Sequence, residues 1–136
     1  MKRLLIIPAR GGSKRIKNKN IKIFNGKPIV YYPLKAAKNS MLFDKIHVST
    51  ESKKIKSKVK KLGFCPEFLR QKSLSNDNVG ILEVINFVIK KYKELKINFD
   101  EVWCLYPCSP LIREDDLRLI NSFFSKQKNS LMTISE

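Results

Sequence analysis

Between Arg10 and Lys19, five cations (Arg10, Lys14, Arg15, Lys17 and Lys19) fall within ten residues, around the run Gly11-Gly12-Ser13. Those residue types suit the binding of a polyphosphate. Guanidinium and ammonium groups neutralise phosphate oxygens, and arginine does so through a bidentate fork. Two adjacent glycines let backbone N–H groups turn inward and let a ligand approach closely. Ser13 adds a hydroxyl donor. The run matches neither GxxxxGK[ST] nor GxGxxG, so it is not a Walker loop or a dinucleotide fingerprint. The alternative is a solvated, lysine-rich surface loop. Phosphate is favoured because the cluster directly follows the apolar run Leu4-Leu5-Ile6-Ile7.

Other chemistries find less support. Cys65, Cys104 and Cys108 form no CxxC pair, and the single histidine, His47, cannot complete a zinc site. An odd number of cysteines favours reduced thiols, read here as small buried hydrophobes. Arg70 stands alone, equally suited to a surface ion pair.

Apolar runs alternating with helical patterns would position the cationic loop. Leu4–Ile7, Lys45–Ser49 and Glu101–Leu105 read as strands, with Leu131–Ile134 as a fourth. Lys22-Ile23-Phe24 is a short extended piece stopped by the turn dipeptide Asn25-Gly26. Pro28 suits the first turn of a helix carrying Ile29, Leu34 and Ala37. Ser52 can cap a helix with Ile55, Val59 and Leu62 inside and Gly63 as its stop. Leu82, Ile85, Ile89 and Tyr92 have amphipathic spacing, as do Leu117, Ile120 and Phe124 behind the acidic start Glu114-Asp115-Asp116. This alternation predicts a three-layer α/β domain with a mostly parallel sheet. Ligands of such sheets sit at the carboxyl ends of the strands, here the loops after Ile7, Val48 and Leu105.

The chain has 136 residues and a formal net charge of +16, from 28 Lys+Arg against 12 Asp+Glu. That charge opens the question of nucleic acid. Only six of the basic residues are arginines, however, and the lysines are scattered, many of them on helix surfaces. Solvated lysine accounts for the pattern, and no stacking aromatics are interleaved with it, so nucleic acid is an unlikely partner. No apolar run approaches the roughly 18–20 residues of a membrane span. The first apolar run is also far shorter than the roughly 7–15 residues of a signal-peptide core. No membrane partner and a cytoplasmic location are the expectations.

The run Ile7-Pro8-Ala9-Arg10-Gly11-Gly12-Ser13-Lys14-Arg15-Ile16, with Lys19-Asn20-Ile21, resembles the N-terminal signature of the acylneuraminate cytidylyltransferases. The likeness continues in order through Gly26-Lys27-Pro28, Leu42-Phe43-Asp44-Lys45, Val48-Ser49-Thr50, Phe68-Leu69-Arg70 and Tyr106-Pro107-Cys108-Ser109-Pro110-Leu111. It implies a nucleotide-diphosphosugar-transferase-like fold. The implied reaction moves CMP from CTP to a nonulosonic acid, with Mg²⁺ assisting. By motif match, Arg10, Gly11, Gly12, Ser13, Lys14 and Lys19 hold the triphosphate. Arg10 and Lys19 take the catalytic role of opposing charge that grows on the α-phosphate and the departing pyrophosphate. Asn20 reads the cytosine, and Arg70 is another base contact. Asp77 either belongs to the nucleotide site or caps the next helix. Tyr106 and Ser109 face the sugar, although Ser109 also suits a turn between two prolines.

This sequence departs from the sialic acid pattern at several places. Asn78-Val79-Gly80-Ile81 stands where that pattern has hydroxyls near the base, so the contact there would run through backbone at Val79. Tyr106 replaces a glutamine and Cys108 a threonine. Tyr106 and Pro66-Glu67-Phe68-Leu69-Arg70 are more similar to the pseudaminic acid branch. Family members are usually longer. The expectation is a nucleotide-binding core over residues 1–136 without the part that supplies the homodimer insert and the late aspartates for Mg²⁺. Asp115 and Asp116 suit a helix start better than a metal, so no metal ligand is assigned. A fragment that binds CTP without turnover, and an enzyme of the 3-deoxy-octulosonate type, are the alternatives.

Overall fold

The four residues Leu4–Ile7 are fully buried in strand β1 (Arg3–Pro8), which puts apolar side chains on both faces and makes it the centre of the sheet. A computed structural model describes residues 1–127. After β1 come a hairpin of β2 (Ile23–Phe24) and β3 (Lys27–Pro28), helix α1 (Tyr31–Ser40), β4 (Lys45–Ser49) and α2 (Lys53–Lys61). Then follow α3 (Ile81–Glu94), β5 (Glu101–Cys104) and α4 (Glu114–Gln127). The main sheet has the order β4-β1-β5, and both pairings are parallel. The expected strand at Leu131–Ile134 lies outside the described residues.

The alternation of β1 divides the core. Leu5 and Ile7 point into one cluster with Val30, Leu34 and Ala37 around α1, Ile55 and Val59 of α2, and Leu117 of α4. Leu4 and Ile6 point the other way, onto Val88 and Tyr92 of α3. Helices therefore cover both sheet faces, and the three-layer α/β architecture read from the sequence is what forms. No described helix is long and apolar enough to cross a membrane.

Local signals explain several boundaries. Ser52 Oγ accepts the N–H of Ile55 at 3.2 Å and starts α2, while Gly63 at φ 93° ends it. Asn25 and Gly26 both have positive φ, which is the backbone that a tight hairpin requires. That hairpin corrects one expectation. Pro28 pairs with Ile23 in the small sheet, and α1 begins at Tyr31. Pro33 takes the first-turn place instead, where its missing N–H breaks no helical bond.

The inner face of α3 is a second correction. Val84, Val88 and Tyr92 are the buried residues, spaced four apart, whereas Leu82 is 70% exposed. The thiols are a third. Cys65 and Cys104 are exposed rather than buried, because Cys104 lies on β5, at the edge of the described sheet, and Cys65 in the loop after α2.

Candidate functional site

The carboxyl ends of β1, β4 and β5 lie side by side, because the three strands run parallel and in close register. The loops leaving those ends enclose a cavity of about 870 Å³. This is where a parallel α/β sheet binds its ligands. One wall comes from the loop after β1, which contributes Arg10, Ser13, Lys14, Arg15, Lys19 and Asn20. Arg70 joins them from the segment that crosses the end of β4. Asp77 is the one carboxylate that lines it among the described residues.

Another part of the lining is apolar. Leu74, Val79, Ile81 and Val84 bring it from the 3-10 turn Lys72–Leu74 and the start of α3. Tyr106, Pro107 and Cys108 close the side next to β5, with Tyr106 61% exposed at the rim. A cavity lined by both cations and apolar side chains suits a ligand with a polyanionic end and a flat, weakly polar end.

Several expected contacts are already engaged within the protein. Arg10 Nη1 and Lys14 Nζ pair with Asp77 at 2.6 and 2.5 Å. Bonds from Lys14 and then Arg10 hold the Asp77 carboxyl below the usual carboxylate range. Asp77 does not cap α3; Gly80 occupies that position. Arg70 is 6% exposed, and its guanidinium donates to Ser49 Oγ (3.0 Å), Ser49 O (2.9 Å) and Leu74 O (3.4 Å). Burial lowers its pKa, Glu51 raises it and Arg10 lowers it further. A guanidinium has five N–H groups, so Arg70 keeps donors for a ligand while bracing the wall.

Asn20 is buried, with Nδ2 donating to Arg10 O at 2.9 Å and Oδ1 accepting from Cys108 Sγ at 3.5 Å. Burial pushes the Cys108 thiol up, against a smaller lowering by Lys19, which keeps it a donor. The two glycines differ. The N–H of Gly11 is taken by Glu51 Oε1 at 2.6 Å, so it does not face a ligand. A Cβ there would stand 2.8 Å from Ser52 Cβ, so this glycine serves close packing on the start of α2. Gly12 is exposed with open space around it.

Neither glycine lines the cavity, and neither does Ser109, whose carbonyl accepts from Ile112 N in a turn. Val79 contributes to the apolar wall, while its N–H is spent on Asn76 O at 3.4 Å. The apolar residues Leu74, Ile81 and Val84 escaped the sequence reading, as did Glu51. Their signal is faint: they follow β4 or open α3, and only the folded chain brings them to β1.

Among the described residues no three His, Cys, Asp or Glu side chains converge as a metal site. Asp77 has both oxygens on cations. Mg²⁺ takes oxygen ligands in a strict geometry, and this donor set does not fit it.

Comparison with known proteins identifies the family. The Cytidylyltransferase family matches residues 4–135. The chain is 38% identical over its whole length to a pseudaminic acid cytidylyltransferase of Campylobacter jejuni, and spans 59% of that protein. It is 30% identical over 99% of its length to a CMP-N,N'-diacetyllegionaminic acid synthase of Legionella pneumophila, spanning 58% of it. Its fold superimposes on a CMP:2-keto-3-deoxy-manno-octonic acid synthetase complexed with CTP, with a TM-score of 0.78 at 21% identity. That match covers 94% of this chain and 49% of the other. The chain belongs to the cytidylyltransferase family.

Proposed function

We propose that this chain forms the nucleotide-binding core of an enzyme that transfers CMP from CTP to a nonulosonic acid, releasing pyrophosphate. The observation that carries the reading is that Arg10, Lys14, Arg15, Lys19 and Arg70 line one cavity together with the apolar residues Leu74, Val79, Ile81 and Val84. The cations take the triphosphate, and the apolar wall takes the flat face of the base. Asn20 and Arg70 lie nearest to a role in reading its edge.

The acceptor's anomeric hydroxyl oxygen forms a bond to the α-phosphorus. The bond from that phosphorus to the oxygen bridging to the β-phosphate breaks, and pyrophosphate departs. The hydroxyl proton passes to solvent. Negative charge grows on the leaving group, and Arg10 and Lys19 oppose it from positions set before the reaction. We place Mg²⁺ on the phosphate oxygens rather than on protein carboxylates. We assign the reaction to the cytoplasm and to the biosynthesis of cell-surface glycans, as the resemblance to the acylneuraminate cytidylyltransferases implies.

The acceptor we favour is a pseudaminic-type acid. Tyr106 stands at the rim, and the relative of that name is 38% identical along the whole chain. Because the chain spans 59% of that relative, CTP binding and turnover are separate claims. Thermal stabilisation by CTP, against ATP and single-stranded DNA, tests the first. Pyrophosphate release with CTP, Mg²⁺ and a panel of nonulosonic acids tests the second. Stabilisation without pyrophosphate would mean that this span binds but does not turn over. Equal stabilisation by ATP would overturn the cytidine reading.

A further inference from the structure

Glu51 is an acid beside a site that otherwise gathers cations, and the nucleotide reading gives it no work. It sits where the chain leaves β4, behind the loop that carries Arg10. Its place is nonetheless closely specified. Oε1 accepts the Gly11 N–H at 2.6 Å. The carbonyl of Arg10, at the other end of the same peptide group, accepts from Asn20 Nδ2 at 2.9 Å. One peptide plane is thus held at both ends by side chains from different parts of the chain.

The absent side chain at Gly11 is part of the arrangement. A Cβ there would stand 3.0 Å from Glu51 Oε1, besides its clash with Ser52. The approach of the loop to the start of α2 is therefore as close as backbone permits. Glu51 Oε2 is buried without a hydrogen-bond partner in the described structure. An unpaired buried carboxylate oxygen costs stability, and such a group calls for an explanation. Holding a backbone donor that must not rotate is such an explanation.

We propose that Glu51 is a positioning residue for Arg10: with Asn20 it clamps the Arg10–Gly11 peptide, and so aims the Arg10 guanidinium into the cavity. This rests on the nucleotide reading of that cavity. Fixing this plane, just after the end of β1, narrows the directions in which the Arg10 side chain can leave the backbone. A guanidinium aimed in advance loses less entropy when it meets phosphate. The negative charge of Glu51 also opposes the cost of burying Arg70 next to Arg10.

The test is a double-mutant cycle read by calorimetric titration of CTP, with Glu51→Ala, Glu51→Gln, Arg10→Ala and the double variant Glu51→Ala/Arg10→Ala. Glu51→Gln keeps an oxygen for the Gly11 N–H and is expected to bind CTP within about threefold of the unaltered protein. Glu51→Ala is expected to lose about tenfold or more in affinity. In the Arg10→Ala background the same change is expected to cost less than about twofold, because no guanidinium is left to aim. A merely structural role would weaken CTP equally in both backgrounds, and that result overturns the proposal. CTP binding by Glu51→Ala equal to that of the unaltered protein overturns it too. Should Glu51→Ala not fold, a tenfold loss in Glu51→Gln would overturn the clamp, and retained binding would support it. Failure of the unaltered protein to bind CTP would overturn the nucleotide reading itself, and this role with it.

Discussion

Asp77 holds its carboxylate 2.6 Å from Arg10 Nη1, and 2.5 Å from Lys14, so the protein's own anion occupies the cations assigned to phosphate. Both partners are partly exposed, which limits what each bond contributes. A triphosphate carries more charge and several oxygens, and it displaces a single carboxylate from such a pair. CTP binding then includes the cost of breaking these contacts.

Asp77→Asn is therefore expected to tighten CTP binding by about two- to fivefold, the worth of a partly exposed pair. Calorimetric titration at low and moderate salt reads the effect, which should shrink as salt rises. Weaker binding in this variant would show that Asp77 contacts the nucleotide instead of competing with it.

Arg10→Ala removes a cavity guanidinium assigned to the triphosphate. Hydrogen bonds to charged groups contribute about 1.5–3 kcal/mol, so a loss of roughly 10–150-fold in CTP affinity is expected. The ligand-free melting temperature should hardly move, because the one ion pair lost is the partly exposed contact with Asp77. A melting temperature that falls steeply would assign Arg10 to the fold.

The adjacent glycines should respond differently. Gly11→Ala puts a Cβ 2.8 Å from Ser52 Cβ and is expected to cost about 1–3 kcal/mol in urea unfolding. Gly12→Ala meets nothing within 4 Å and should stay within about 0.5 kcal/mol. Equal costs would contradict the close approach of the loop to α2.

His47 makes a prediction about acid. Tyr92 gives its proton to Glu67 at 2.7 Å, which leaves its oxygen to accept from His47 Nδ1 at 3.0 Å. Burial, with Lys45 and Arg70 near it, lowers the pKa from 6.5 to about 3. The unfolded chain protonates as pH falls through 6.5, while the folded one does not until about 3. Stability is thus fully present above 6.5 and falls by about 1.4 kcal/mol per pH unit below it. Urea unfolding at pH 7.5 and 5 should differ by about 2 kcal/mol from this group, the only histidine in the chain. His47→Phe should flatten that part of the profile, and an unchanged slope would refute the assignment.

What could be read from the sequence was local. Leu4–Ile7 is a buried run whatever surrounds it, Ser52 precedes the helix it caps, and Asn25-Gly26 makes its own turn. The face of α3 was ambiguous because its apolar residues offer rival stripes. Packing against Leu4 and Ile6 selects Val88 and Tyr92, while Val84, one turn earlier, lines the cavity. Pro28 misled for a similar reason, since a proline fits a strand edge as well as a helix start.

The cationic loop was legible by itself, because Arg10 to Lys19 are neighbours along the chain and their charge needs no partner to be noticed. Sequence alone thus determined the α/β class, the parallel strands and the cationic character of the first loop. Tertiary structure decided what those cations face: Asp77 in front of Arg10, the apolar wall of Leu74, Val79, Ile81 and Val84, and Glu51 behind Gly11. These residues lie far from Arg10 along the chain. Parallel strands joined by helical crossovers carry each strand's carboxyl end to the same edge, so only the assembled sheet brings them together around Arg10.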